Sequence, residues 1–208
     1  MAANLFVELP SEKQERIIRV AISEFAKYGY VNSSTNRIVK NSGISKGSLF
    51  QYFQNKEELY FYILDSIVSE LMTSLNDKVD TLSADPFQRV AGYSELEFAW
   101  YIQNPEKYKI IVHAFAKNDT EIHKKVEARY SLAGENIYYK LMEDIAPQKF
   151  KRDKQKTIDV LKWFLKGFNE DFIGRAELPG HTNIDALKRE YVRCLTEYLE
   201  LLKEGLLP

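Results

Sequence analysis

The stretch Ser33–Lys56, SSTNRIVKNSGISKGSLFQYFQNK, decides how this chain is read. Ser33, Ser34 and Thr35 offer helix N-caps, since short oxygen-bearing side chains accept the N–H groups that a first turn leaves free. A short helix through Ile38 and Val39 follows and stops at Gly43. Ser45 caps a second short helix, Lys46 to Tyr52, which ends before Asn55. Two short helices about a glycine turn have the form of a helix-turn-helix. Ile38, Val39, Ile44, Leu49 and Phe53 would hold the pair against the preceding helix. The outer face of the second helix carries Ser45, Lys46, Gly47, Ser48 and Gln51, which are small or polar. A helix entering a major groove about 12 Å wide excludes bulk at its leading end. Glycine inside a helix costs about 0.5–1 kcal/mol relative to alanine, and close approach to DNA would explain Gly47. The pattern by itself also suits a helical hairpin with a solvated face.

Charge sharpens the reading. The chain has 208 residues, with Lys+Arg 29 and Asp+Glu 30, a net charge of -1. That balance excludes a uniformly basic nucleic-acid binder but hides the distribution. Residues 1–56 carry 8 Lys/Arg and 4 Asp/Glu, a net of +4, which leaves -5 on the remainder. Between Phe25 and Lys56 the basic residues are Lys27, Arg37, Lys40, Lys46 and Lys56, with no acid among them. Such side chains neutralise phosphates and supply most sequence-independent affinity. Lys56 also stands at a helix start, where free N–H groups favour an anion.

Helical periodicity extends outward on both sides. Upstream, Ser11 and Gln14 form a capping box, and Ile18, Ala21, Ile22 and Phe25 make one apolar face that ends near Gly29. Downstream, Asn55 caps a helix from about Lys56 to Leu82 with Leu59, Ile63, Ile67, Leu71 and Leu75 along it. Further helices open at Asp85-Pro86, Pro105, Asn118-Asp119-Thr120 and Asp153, and a turn at 178–183 precedes a last helix from Ile184. The expectation is an all-α chain of about nine helices. A helix-turn-helix domain over 1–56 would be followed by a helical ligand-binding and dimerisation domain over 57–208.

Ser45-Lys46-Gly47-Ser48-Leu49-Phe50-Gln51-Tyr52-Phe53, followed by Asn55-Lys56-Glu57-Glu58-Leu59, resembles the signature of TetR/AcrR transcriptional regulators. Ile38–Gly43 and the first helix with Phe25 and Tyr28-Gly29-Tyr30 are similar too, so the resemblance covers residues 11–60. It implies a three-helix DNA-binding domain and a homodimer on a palindromic operator of double-stranded DNA, most often as a repressor released by a small-molecule effector. Carried over residue by residue, it implies that Ser45, Lys46, Gly47, Ser48, Phe50 and Gln51 meet bases or nearby phosphates. Thr35, Tyr52 and Lys56 would meet the DNA backbone. Phe50 stands where the family more often has tyrosine, and Gln51 where it more often has histidine.

The acidic remainder holds 15 of the 27 aromatic residues between positions 87 and 172. An aromatic-rich bundle suits a hydrophobic or aromatic ligand. Tyr93, Glu97, Trp100, Tyr101, His113, Tyr138 and Trp163 are the candidate lining, with core packing as the alternative for each. Leu161, Leu165, Phe168 and Phe172 form one stripe with Ile158, and Leu187, Tyr191, Leu195 and Tyr198 form another with Leu202. Two such stripes per subunit would build an isologous four-helix dimer interface, or else pack within the chain.

Other classes find little support. His113, His123 and His181 form no HExxH pair, and neither GxSxG, a P-loop nor paired cysteines occur. An enzyme, a metal site and a cofactor are therefore not expected. The lone Cys194 and the absence of a long apolar run point to a soluble cytoplasmic protein without a membrane partner. Glutamine can bond adenine bidentately, so Gln51 is expected to read an adenine. In a binding series over operator variants, Gln51→Ala should lose preference at one base pair; an unchanged preference would remove the assignment.

Overall fold

A computed structural model of the protein describes residues 2–115, 120–150, 153–176 and 183–206, and omits the side chains of 2–4, 131–140, 170, 173–176, 184 and 206. The helices are α1 (Ala2–Val7), α2 (Ser11–Asn32), α3 (Thr35–Ser42), α4 (Lys46–Tyr52), α5 (Lys56–Asn76), α6 (Pro86–Gln103), α7 (Pro105–Phe115), α8 (Glu121–Met142), α9 (Lys154–Ala176) and α10 (Ile184–Leu206). Short 3₁₀ turns lie at Val79–Thr81 and Pro147–Lys149. No strand occurs among the described residues. The all-α expectation therefore holds, with α1 as a helix that periodicity could not detect.

Most helix starts are set by the caps read from the sequence. Ser45 Oγ accepts Ser48 N–H at 3.0 Å, and Asn55 Oδ1 accepts Glu58 N–H at 2.8 Å. Asp85, Asp153 and Asn183 likewise accept first-turn N–H groups of α6, α9 and α10. Four details differ from expectation. Pro10 is the N-cap of α2 and Ser34 that of α3, and neither helix start has a side-chain cap. Gln14 does reach back, but its Nε2 donates to the carbonyls of Val7 (3.0 Å) and Leu9 (2.7 Å), because α1 brings its C-terminal end there. The helix expected to reach Leu82 stops at Asn76, where the polar run Asn76-Asp77-Lys78 ends the apolar stripe.

The chain divides into two compact units, Met1–Met72 with Asn104–Ala114, and Thr73–Gln103 with Phe115–Pro208. The first unit runs past residue 56 because the start of α5 is part of its core. Tyr60 packs on Phe25 (5.1 Å between ring centroids) and Tyr30 (5.0 Å), and Tyr62 packs on Phe53 (5.3 Å). Within it α3 packs on α2 and on α4, and α1 packs on α4. In the second unit α6 packs chiefly on α10 and also on α8, while α9 lies against α8 and α10. Tyr191 is a hub there, with ring contacts to Phe98 (4.4 Å), Phe168 (5.2 Å) and Phe172 (5.0 Å). Its hydroxyl donates to Asn169 Oδ1 at 2.7 Å.

Among the described residues two glycines have positive φ, for different ends. Gly43 (φ 67°, ψ 31°) is a left-handed C-cap, donating its N–H to the Val39 carbonyl. Gly29 (φ 63°, ψ 179°) kinks α2 in a region open essentially to glycine alone. Gly29→Ala should therefore cost about 1–3 kcal/mol, while Gly43→Asn should cost less, since asparagine tolerates the left-handed region. Urea unfolding followed by helical circular dichroism measures both; equal costs would contradict the distinction.

Candidate nucleic-acid interface and the ligand-domain residues

Glu24 organises the helix-turn-helix from inside. Its carboxylate is buried and accepts Ser34 N–H at 2.7 Å and Arg37 Nε–H at 2.9 Å. Arg37 also donates to the Asn32 carbonyl at 2.9 Å and lies 4.2 Å from the Tyr28 ring centroid. The hydrogen bond from Glu24 holds the Arg37 guanidinium above its ordinary pKa. The start of α3 is thereby tied to α2. In the sequence Arg37 reads as a phosphate-facing cation and Glu24 shows no partner. The available signal was an acid placed on the apolar stripe between Ala21 and Phe25.

Lys56 has a similar internal role. Its Nζ donates to the carbonyls of Tyr30 (2.8 Å), Val31 (3.3 Å) and Ser33 (3.1 Å), and lies 4.5 Å from the Tyr30 ring centroid. Burial pushes its pKa below the ordinary lysine range, against the Glu24 carboxylate, which acts upward. These bonds satisfy carbonyls at the end of α2, so Lys56 is engaged within the protein.

The other expected DNA-facing residues lie together in the first unit. Lys46, Gly47, Phe50 and Gln51 are exposed on α4, and Lys40 is exposed on α3. Thr35 is half-buried at the first position of α3. Ser45 and Ser48 face each other, their hydroxyls 2.8 Å apart across the cap. Tyr52 is buried, with Lys13 Nζ donating to its hydroxyl at 3.4 Å. A Cβ at Gly47 would meet no atom nearer than Ser45 Oγ at 3.8 Å, and its φ is ordinary, so internal packing does not require a glycine there.

The second unit separates the expected ligand residues. Tyr93, Glu97, Trp100 and Tyr101 lie on α6, the last two buried and the first two half-buried. Tyr101 Oη donates to Glu97 Oε1 at 2.7 Å. Burial pushes the Glu97 carboxyl above the usual carboxylate range, and the Tyr101 hydrogen bond acts the other way. Trp163 is 67% exposed on α9, which removes it from any interior lining. His113 belongs to the first unit, its Nδ1 3.8 Å from where a Gly29 Cβ would stand. The Tyr138 side chain lies outside the described residues.

The expected dimer stripes are corrected in part. Leu161, Leu165, Phe168, Phe172, Leu187, Tyr191 and Leu195 are buried within one chain, so they are interior residues of the helical body. Tyr198 is 51% exposed. The periodicity of α9 and α10 reported the intrachain packing of these helices. Among the described residues no cluster of His, Cys, Asp and Glu could hold a metal ion, and no helix is long and apolar enough to cross a membrane.

Residues 17–63 match the family described as bacterial regulatory proteins, tetR family. The HTH-type transcriptional activator FasR of Mycolicibacterium smegmatis is 28% identical over 128 residues, 61% of this chain and 56% of that one. The chain spans a little over half the length of that relative, and less of two other curated relatives that it matches. A TetR family transcriptional regulator from Chloroflexus aurantiacus shares the fold with a TM-score of 0.62 at 22% identity, covering 99% of this chain and 98% of that one. The regulator FadR of Bacillus subtilis, solved with stearoyl-CoA, does so with a TM-score of 0.63 at 14% identity, covering 87% and 96%. The helix-turn-helix of α3 and α4 lies within the segment that matches the tetR family of bacterial regulatory proteins.

Glu97 offers a pH test of the body. A carboxyl whose folded pKa is raised favours the folded state below its unfolded pKa and loses that contribution as pH rises through the folded value. Glu97→Gln and the wild type should therefore have similar melting temperatures at acid pH, and the variant should gain on the wild type towards neutrality. A difference independent of pH would refute the raised pKa.

Proposed function

We propose that this protein binds a palindromic operator as a homodimer, represses transcription from it, and is released by a small hydrophobic ligand. The observation that carries the DNA-binding part is the outer face of α4. Lys46, Gly47, Phe50 and Gln51 are exposed there, and Gly47 has room for a Cβ, which would meet only Ser45 Oγ at 3.8 Å. A groove wall approaching the helix would make the missing side chain useful. Gln51 is the base reader in this reading, with Lys46 and Lys40 as phosphate contacts.

Two half-sites need two subunits. Since most of the expected stripes are interior, the pairing surface in this proposal is the outer side of α9 and α10, where Trp163 and Tyr198 are exposed. The Phe164 and Tyr198 rings, 6.0 Å apart, join the two helices on that side. Exposed aromatics of this size are enriched in interface cores. The effector would bind beside α6, where Glu97 and Tyr101 supply the polar groups in apolar surroundings. FadR of Bacillus subtilis holds stearoyl-CoA, so long-chain acyl thioesters are the first compounds to test. Release would follow if the ligand favours a state with the wrong spacing between recognition helices, a coupling of about 1–3 kcal/mol. Helix α5, whose residues divide between the two units, would carry it.

Two measurements check this. A mobility shift with DNA from beside the protein's own gene should weaken steeply with salt; binding that ignores salt would contradict it. Trp163→Glu combined with Tyr198→Glu should sediment as a monomer and bind that DNA at least tenfold more weakly; a dimeric double variant would exclude this surface.

A further inference from the structure

Helix α1 lies upstream of the segment matched by the family and has six residues. A helix that short is not stable alone in water. What holds it is Phe6, 1% exposed, whose ring lies 4.9 Å from Phe53, 5.5 Å from Tyr62 and 6.0 Å from Tyr52. Its neighbours Leu5 and Val7 point to solvent. The end of α1 is closed by Gln14, which takes the Val7 and Leu9 carbonyls, and by Leu9 N–H on the Phe6 carbonyl at 3.1 Å.

The three rings around Phe6 belong to one joint. Tyr52 ends α4, Phe53 is its C-cap, and Tyr62 lies in the second turn of α5. Helix α4 has seven residues and buries only Leu49 and Tyr52 among them. So small a helix has little packing of its own to set its direction. Gln51 and Phe50 immediately precede Tyr52, so a tilt at this joint moves the groove-facing side chains directly.

We propose that Phe6 is a positioning residue for DNA recognition: α1 wedges its ring into the α4–α5 joint and fixes the angle at which α4 is presented. This rests on the reading of α4 as the recognition helix. Base contacts need a helix held to within about 0.5 Å, whereas phosphate attraction tolerates misalignment. Loss of the ring therefore weakens specific binding and spares non-specific binding.

The test uses the full chain and a duplex that the wild type selects from a randomised library, with an unrelated duplex as the non-specific probe. Phe6→Ala, assayed well below its unfolding midpoint, should bind the selected duplex at least tenfold more weakly and the unrelated one within twofold of wild type. Phe6→Leu should recover part of the loss, and Leu5→Ala with Val7→Ala should change neither. Amide hydrogen exchange at Phe50, Gln51 and Tyr52 should quicken in Phe6→Leu while that at Ile17 and Phe25 does not, which decides the matter even if Phe6→Ala fails to fold. An unchanged ratio of specific to non-specific affinity in a folded Phe6 variant, or an equal loss of both, would overturn the inference. If the wild type enriches no duplex, the DNA-recognition reading fails, and this inference fails with it.

Discussion

The buried carboxylate of Glu24 is the constraint on which the DNA-binding unit depends. An ionised carboxylate out of water is costly unless its lone pairs are filled. Here they are filled by Ser34 N–H and the Arg37 fork, both from the segment that follows the kink at Gly29. The chain can leave α2 and enter α3 along one path that keeps these bonds. Lys56 completes the arrangement from the other side by taking the carbonyls of Tyr30, Val31 and Ser33. The backbone groups exposed by the kink are thus satisfied by two cations and one anion of the unit itself.

This changes the meaning of the positive charge on the first 56 residues. Arg37 and Lys56 are engaged in internal bonds, so they add less to phosphate attraction than their formal charges suggest. The cations left on the outer surface of the helix-turn-helix are Lys40 and Lys46. They flank the turn at Gly43 and the start of α4, where a phosphate backbone would run if α4 entered a groove. The serines of α4 also divide their work: Ser45 and Ser48 close the helix start, leaving Gln51 as the polar side chain furthest along the exposed face.

In the second unit apolar burial dominates. Tyr191 gathers Phe98, Phe168 and Phe172, which ties α6, α9 and α10 around one ring. Ion pairs add to this: the buried Arg89 with Asp144 at 2.8 Å, and Lys203 with Asp85 at 3.0 Å. Burial pushes the Asp85 carboxyl up, but N–H groups of Gln88 and Phe87 and the Lys203 ammonium outweigh it and hold the group below its usual range. The aromatic residues of this unit serve first as core, and Trp163 and Tyr198 stand apart by their exposure.

The amino-acid sequence by itself determined most of the helices, several of their caps, the turn at Gly43 and the resemblance to the tetR family, because each depends on residues within a few positions of one another. Ser45, Asn55, Asp85, Asp153 and Asn183 cap the helices that they precede. Only the tertiary structure decided which side of each stripe faces a neighbour. Periodicity marks a buried face without saying whether the same chain or a partner covers it, so Leu165 and Leu195 read equally as core or interface. Likewise a charge in the sequence carries no record of its partner. Arg37 reaches Glu24 across thirteen positions and Lys56 reaches Tyr30 across twenty-six. Helix α1 shows the same limit most plainly: Leu5-Phe6-Val7 is too short to announce a helix, and it folds because residues some fifty positions away present three rings to Phe6.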